Sequence, residues 1–393
     1  MKQLKIRFKK FRNEWEKLKL SEATTIIMGQ SPDSKNYTDN PNDYILVQGN
    51  ADMQNGRVVP RVWTTQVTKL AEKGDLILSV RAPVGDIGKT DYNVVLGRGV
   101  AAIKGNEFIF QLLSRMKQFN YWSKLSTGST FESINSSEIK STEIFLPSPE
   151  EQSAIGSLFR TLDDLLVSYK SNLTNYQSLK VTMFSKMFPK AGQTVPEIRL
   201  DGFEDEWEKG TIGEFGSFYY GKSAPKWSVT DEATTPCVRY GELYTKFSTK
   251  IDKIYSYTSI PKENLKLSSG NEVLVPRVGE NPLDFANCSW LSLKDVAIGE
   301  MISVYNTPNN PLFIAYYFNA KMRKDFAKRV EGGSVANLYY TYLENISISV
   351  PSIPEQQAIG AYFSNLDNLI NSYQEKISQL ETLKKKLLQD MFI

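Results

Sequence analysis

The chain contains itself twice. Residues 146–188, LPSPEEQSAIGSLFRTLDDLLVSYKSNLTNYQSLKVTMFSKMF, align without a gap on residues 350–392, VPSIPEQQAIGAYFSNLDNLINSYQEKISQLETLKKKLLQDMF, at a constant offset of 204. A second match opens each copy: IRFKKFRNEWEK at 6–17 against IRLDGFEDEWEK at 198–209. Each half begins alike, ends alike and differs in between. Such a pattern calls for one frame that presents two different surfaces.

The repeated ends read as helices. Ser148-Pro149-Glu150-Glu151 and Ser352-Ile353-Pro354-Glu355 fit a capping box, a reading that accounts for both glutamates by itself. Proline in the first helical turn removes an amide that has no intrahelical acceptor. Apolar residues then recur in alternating steps of four and three: Ile155, Phe159, Leu162, Leu166, Tyr169, Leu173 and Tyr176, then Met183 and Met187. The second copy has Ile359, Phe363, Leu366, Ile370, Tyr373, Ile377 and Leu380, then Leu387 and Met391. This is a heptad seam. It is interrupted once per copy, at Lys180 and Lys384, where Leu179 and Leu383 are expected to take over the contact. A helix of about 38 residues would be roughly 57 Å long. An apolar stripe of that length needs a partner, and the other copy is the economical one. The expected arrangement is an antiparallel coiled coil that relates the halves by a pseudo-twofold axis and holds two variable domains apart. A dimerising arm of a scaffold protein fits the heptads equally well.

Between the matched ends lie short strand-like runs bounded by turn signals. They are 43–50, 75–80, 93–97 and 100–103 in the first half, and 235–243, 271–278, 296–299 and 301–305 in the second. Each half then carries one amphipathic helix candidate, 106–125 or 311–330, and a glycine-rich turn, 127–131 or 332–336. One mixed fold used twice is expected, of class α+β. The predicted boundaries are a first variable domain at 1–145, a first repeated helix at 146–190, a second variable domain at 191–349 and a second repeated helix at 350–393. Trp15 and Trp207, which recur in the openings, are expected to be structural.

Composition narrows the function. The chain has 393 residues, 41% hydrophobic and 23% charged, as ordered globular proteins do. The net charge of +3 is too small to argue nucleic-acid binding by itself. No histidine is present, which excludes Ser–His and Cys–His nucleophiles and His-containing metal sites. Cys237 and Cys288 form no disulfide or zinc pattern. There is no G-x-G-x-x-G, no P-loop and no [DNS]-P-P-[YF] methyltransferase motif; Asn281-Pro282-Leu283 comes nearest to the last. No stretch suits a membrane span or a signal peptide, so a cytoplasmic location is the expectation. The chain reads as a binder.

Candidate binding residues sit in the variable loops. Gln30, Ser31, Lys35, Asn36 and Tyr37 follow Gly29; Gln48, Asn50, Arg57 and Arg61 form a second group; Arg81 and Arg98 follow strand-like runs. Lys222, Ser223, Lys226, Trp227, Arg239, Tyr240, Arg277 and Asn281 occupy similar positions in the second half. Arginine suits guanine edges and Asn or Gln suits adenine, while Lys, Ser and glycine-turn amides suit phosphates. A solvated polar loop is the plainer reading of each. The basic face of Lys321, Arg323, Lys324, Lys328 and Arg329 is a further phosphate candidate. The core of the helix pair is expected to be Ile155, Phe159, Leu162, Leu166 and Leu173 with Ile359, Phe363, Leu366, Ile370 and Ile377.

Three features together carry a family resemblance: the doubled order of variable domain and long helix, the P-x-x-x-E-Q-x-x-I-G-x-x-F-x-x-L-D segments at 147–163 and 351–367, and the F-x-x-E-W-E-K openings. The chain resembles the specificity subunit of type I restriction–modification systems over essentially its full length. One departure is the position after Glu-Gln, often basic in the family and here Ser153 and Gln357. The resemblance implies a non-catalytic subunit whose two target-recognition domains each read half of a bipartite, asymmetric duplex DNA sequence. Its helices would set the spacer and dock two modification subunits, and restriction subunits would join them. S-adenosylmethionine, ATP and Mg would sit on those partners, with no cofactor on this chain. Asp163 and Asp367 would be docking contacts or intrahelical charge partners. A coiled-coil adaptor with two protein-binding domains is the rival reading.

Overall fold

The computed structural model describes residues 4–125, 132–222 and 224–393. The four longest helices among them are α1 (Glu107–Gln118), α2 (Pro149–Lys186), α3 (Pro311–Lys321) and α4 (Ile353–Asp390). The chain divides into two compact units, residues 1–170 with 375–393 and residues 171–374. The division cuts both long helices at mid-length. Each unit therefore holds one variable domain, the first half of that domain's own helix and the second half of the other.

In the first unit a six-stranded sheet (strands at 26–28, 100–103, 76–79, 87–89, 57–58 and 53–54, in spatial order) accompanies a five-stranded one (37–38, 63–64, 44–47, 94–96 and 70–71). The second unit has a five-stranded sheet (217–220, 302–306, 272–276, 289–291 and 250–251) and a four-stranded one (256–258, 235–238, 294–298 and 267–269). Parallel pairs, such as 94–96 on 44–47 and 235–238 on 294–298, sit among antiparallel ones. Both units are thus mixed α+β. Three predicted elements break or end early. The helix predicted at 311–330 is one of them, stopping at Lys321 before a short helix at Arg323–Ala327. The run 235–243 is a strand only to Val238; Glu242 accepts the Arg239 amide at 3.0 Å and a helix, Tyr240–Thr245, begins. The predicted helix 106–125 breaks at Asn120, whose φ is 56°, a left-handed turn that Asn tolerates. The turn at 127–131 lies outside the described residues.

The matched sequences meet in space. In the first unit Glu16–Lys19, from the opening, pairs antiparallel with Glu143–Leu146, just before α2. In the second, Glu208–Thr211 pairs in the same register with Ser347–Val350 before α4. Arg7 forks onto the Glu151 carboxylate with both contacts at 2.7 Å, and Arg199 onto Glu355 at 2.8 and 2.7 Å. Capping therefore does not account for these glutamates. Ser148 Oγ accepts the Glu151 amide at 3.4 Å, but the carboxylates are buried and turned to arginine. A buried carboxylate needs a charged partner, and an exposed cap amide could not supply one. The adjacent glutamines bind the start of the domain helices. Gln152 accepts from Asn106 Nδ2, and Gln356 accepts the Asn310 amide, each at 2.8 Å.

Within each unit the helix segments run antiparallel. Phe184 meets Phe363, and Tyr176 meets Tyr373 with centroids 5.5 Å apart. In the other unit Phe159 meets Phe392 and Lys170 pairs with Glu381 at 2.7 Å. Of the predicted seam, Ile155, Phe159, Leu162, Leu166, Ile359, Phe363, Leu366, Ile370 and Ile377 are buried, and Leu173 is half-buried. The N-terminal residues of this set join larger cores. Ile155 and Phe159 pack with Trp15, α1 and Phe392, and Ile359 and Phe363 with Trp207, α3 and Phe188. Both tryptophans are buried there, as expected.

The seam does not shift at its interruption. Leu179 and Leu383 are exposed, and the lysines themselves face the seam. Lys384 Nζ lies 2.5 Å from Asp163, and Lys180 pairs with Asp367. Asp163 also accepts from Gln111 on α1, and Asp367 from the Tyr316 hydroxyl on α3, both at 2.8 Å. Each aspartate thus ties its own helix to the opposing one and to the domain. It is neither an intrahelical partner nor a free docking group, because a half-buried carboxylate first satisfies the nearest donors. Asp367→Ala strands Lys180 and is expected to cost about 1–3 kcal/mol in denaturant unfolding. The pair of changes Lys180→Met and Asp367→Leu should restore only the part due to Lys180, since the buried Tyr316 hydroxyl still lacks its acceptor. An additive double mutant would show that the two side chains do not interact.

Candidate nucleic-acid interface

The loops converge through glycine. In the first unit the Gly29 amide donates to Val100 O at 3.0 Å, Gln30 to Leu96 O at 2.9 Å and Gly97 to Val47 O at 2.7 Å. A Cβ on Gly29 would stand 2.0 Å from Gly97 O, so no side chain fits. The second unit repeats the arrangement. Gly221 donates to Ile302 O at 3.0 Å, Lys222 to Ile298 O at 2.9 Å and Gly299 to Val238 O at 3.0 Å. A Cβ on Gly221 would stand 2.1 Å from Gly299 O.

On this frame the first unit opens a cleft of about 470 Å³, a volume within the usual range for binding sites. Six of the predicted residues line it: Ser31, Tyr37, Gln48, Asn50, Arg81 and Arg98. Ser31 Oγ is engaged by the Arg98 amide at 3.1 Å. The polar ends of Gln48, Asn50, Arg81 and Arg98 meet no protein partner among the described residues. Other candidates are committed elsewhere. Lys35 pairs with Asp33 at 3.2 Å, Asn36 donates to Gln66 at 2.9 Å, Arg57 pairs with Asp91 at 2.9 Å and Arg61 donates to Ala51 O at 2.8 Å. Gln30 is exposed, and its backbone serves the turn, with its carbonyl accepting from Thr68.

The second unit carries different side chains at matching places. Arg239 stands where Gln48 does and Lys222 where Gln30 does. The 3-10 turn Lys226–Ser228 corresponds to Ser34–Asn36 and exposes Trp227 by 73%. Tyr240 is also exposed, and Ser223 lies outside the described residues. Two candidates sit differently from their expected positions. Asn281 caps a 3-10 turn, accepting the Leu283 amide and donating to Asp284, both at 3.1 Å. Arg277 does not match Arg81. Strand pairing sets Pro276 opposite Ile302 as Ser79 is opposite Val100, so Arg277 takes the place of Val80. There its guanidinium lies 4.3 Å from the Tyr220 ring centroid and 5.4 Å from that of Tyr339.

The basic face is paired in part. Arg323 pairs with Asp284 at 3.5 Å, Lys328 with Asp325 at 3.8 Å, and Arg329 donates to the Asp325 carbonyl at 2.8 Å. Burial, with Lys190 adding to it, lowers the Lys321 pKa. Lys324 is exposed. Two features escaped sequence reasoning. One is the tyrosine cage around Arg277, signalled only by the Y-Y-T-Y run at 339–342. The other is Glu300, at the place of Arg98; an alignment of G-R-G on G-E-M, 202 residues apart, would have found it.

The sequence profile of the type I restriction modification DNA specificity domain matches residues 12–175 and again 204–382. The chain belongs to this family. Among relatives of this specificity chain, the protein provisionally assigned as the MjaX type I restriction enzyme specificity subunit of Methanocaldococcus jannaschii is 35% identical over 162 residues. That match covers 39% of this chain and 37% of the other. The MjaIX specificity subunit of the same organism is 23% identical over 333 residues, 81% of this chain and 77% of that one. The crystal structure of the type I restriction-modification system S subunit from M. genitalium superposes with a TM-score of 0.65. It covers 99% of both chains at 16% identity and so shares the fold. A role in DNA sequence specificity follows from the family. Among the described residues no helix is long and apolar enough to cross a membrane.

Proposed function

We propose that each unit reads one half of a bipartite, asymmetric duplex DNA target, and that the paired helices set the spacer between the halves. The observation that carries this reading is a single glycine-locked frame, repeated in both units, that bears two unlike sets of side chains. A rigid frame holds loop side chains at fixed positions, and changing those side chains changes the bases read without changing the fold. Backbone phosphates position each domain and base edges specify it. The chain itself performs no chemistry.

The outer faces of the helices support docking of two modification subunits. Leu165, Val167 and Leu383 are 39%, 58% and 44% exposed in the first unit, and Leu179, Val181 and Leu369 are 37%, 70% and 44% exposed in the second. Leu165 and Leu369, and Leu179 and Leu383, are equivalent positions of the two copies, and matching apolar side chains suit two identical partners, one per unit. S-adenosylmethionine, ATP and Mg then belong to the modification and restriction subunits.

The test is to co-express the chain with a modification subunit and map N6-methyladenine by single-molecule sequencing. A bipartite motif with a fixed spacer is the expected result. Assembly of the complex without any motif would favour an adaptor without DNA contact. Deleting one heptad from both helices removes about 10 Å of rise, or roughly three base pairs. The spacer should shorten or methylation should cease, with both half-sites unaltered. An unchanged spacer would sink the ruler.

A further inference from the structure

Arg98 and Glu300 stand at one and the same place in the two units. In the first, the residue before Arg98 donates its amide to Val47 O at 2.7 Å, and the residue after it accepts from the Val80 amide at 2.9 Å. In the second, the residues flanking Glu300 bind Val238 O at 3.0 Å and the Arg277 amide at 3.1 Å. The peptide on either side of each side chain is thus held by the same pair of strands. The turns are close-packed: a Cβ at Gly29 or Gly221 would collide with the carbonyl of Gly97 or Gly299. Arg98 and Glu300 are both exposed. Neither side chain has an ion-pair or hydrogen-bond partner among the described residues. One position of a rigid frame therefore carries a free guanidinium in one domain and a free carboxylate in the other.

We propose that this position determines one base pair in each half-site, with Arg98 reading guanine and Glu300 reading cytosine. The inference rests on the bipartite reading above. The guanidinium fork donates two hydrogen bonds to O6 and N7 of guanine, and a carboxylate accepts from N4 of cytosine. Beside a phosphate the carboxylate would be repelled, so its useful target is a base-edge donor. Loop side chains usually lose rotamer freedom on binding; a backbone locked on both sides reduces what is left to order. The two domains accordingly present opposite hydrogen-bonding character to the groove from one shared position. Each half-site then contains a G·C pair, read from its guanine by one domain and from its cytosine by the other.

The experiment is N6-methyladenine mapping of the complex carrying Arg98→Ala, Arg98→Gln or Glu300→Gln. These exposed positions leave both cores untouched. Arg98→Ala should relax one G·C position of one half-site, with discrimination falling roughly 10- to 100-fold, while the other half-site stays unchanged. Glu300→Gln should relax one position of the opposite half-site and admit adenine there, since Gln pairs with adenine. Arg98→Gln should likewise admit adenine in place of guanine. A wild-type half-site without any G·C pair would overturn the assignment, as would unaltered motifs in the variants. So would methylation that falls uniformly with no change of motif, which marks a phosphate contact. In each of those cases a bipartite wild-type motif would leave the general function standing. Absence of any bipartite motif would overturn both.

Discussion

Glu355→Ala is expected to lower the unfolding midpoint of the second unit by on the order of 10 °C. The Glu355 side chain is 1% exposed, and it receives Arg199 through two hydrogen bonds and the Trp207 indole at 3.4 Å. Its removal takes away the one carboxylate bonded to a guanidinium that is only 14% exposed, leaving only the longer-range charges of Asp205 and Glu204. Breaking a buried pair from one side costs about 3–5 kcal/mol, and each kcal/mol moves the midpoint of a unit this size by about 2–4 °C. The loss also unclips the opening of the copy from its helix, so the strand pair Glu208–Thr211 with Ser347–Val350 should lose hydrogen-exchange protection first. Calorimetry with exchange mass spectrometry measures both. An unaltered midpoint would show that the bridge is not formed in solution. Glu151→Ala should act in the same way on the first unit, through Arg7.

Phe392→Ala is expected to destabilise the first unit by about 3–5 kcal/mol, the usual loss on deleting a buried aromatic ring. Phe392 stacks on Phe108 with centroids 5.0 Å apart, meets Trp15 edge-on at 6.3 Å and lies 5.7 Å from Phe159. It lies just past the end of the second repeat's helix, yet it fills the core of the first domain. Phe188 does the same for the second domain, against Trp207, Phe313 and Phe363. Chemical denaturation of Phe392→Ala, followed by Trp15 and Trp122 fluorescence, reads the effect. A loss below about 1 kcal/mol would mean that the ring does not occupy this core. Exchanging the end of one helix between domains makes each domain's stability depend on the other copy's helix.

Much of this architecture was legible in the residues. Heptad spacing needs only local periodicity, so Ile155 to Leu166 and Ile359 to Ile377 could be placed on a seam before any fold was known. The alternation of strands, domain helix and spacer helix was readable for the same reason. Six of the eleven first-half binding candidates line one cleft because loops that follow adjacent strands emerge at one edge of the sheets. Charge partners were not legible. Lys180 and Lys384 looked like defects in an apolar stripe, since Asp367 and Asp163 lie on the opposing helix, 187 and 221 residues away in sequence. Glu151 and Glu355 looked like caps, since Arg7 and Arg199 are 144 and 156 residues distant.

The site divides along the same line. That Arg81, Arg98, Gln48 and Asn50 could recognise bases was a property of their chemistry and was stated from sequence. That Arg57, Arg61, Lys35 and Asn36 are spent on neighbours, and that Arg277 is displaced by one strand position into a tyrosine cage, depended on which loops meet. Sequence by itself determined the repeat, the long helices, the seam and the absence of histidine chemistry, because each is a property of residue type and spacing along the chain. Only the tertiary structure decided which charges are satisfied internally and which remain unpaired, because pairing is a matter of distance between segments far apart in the chain.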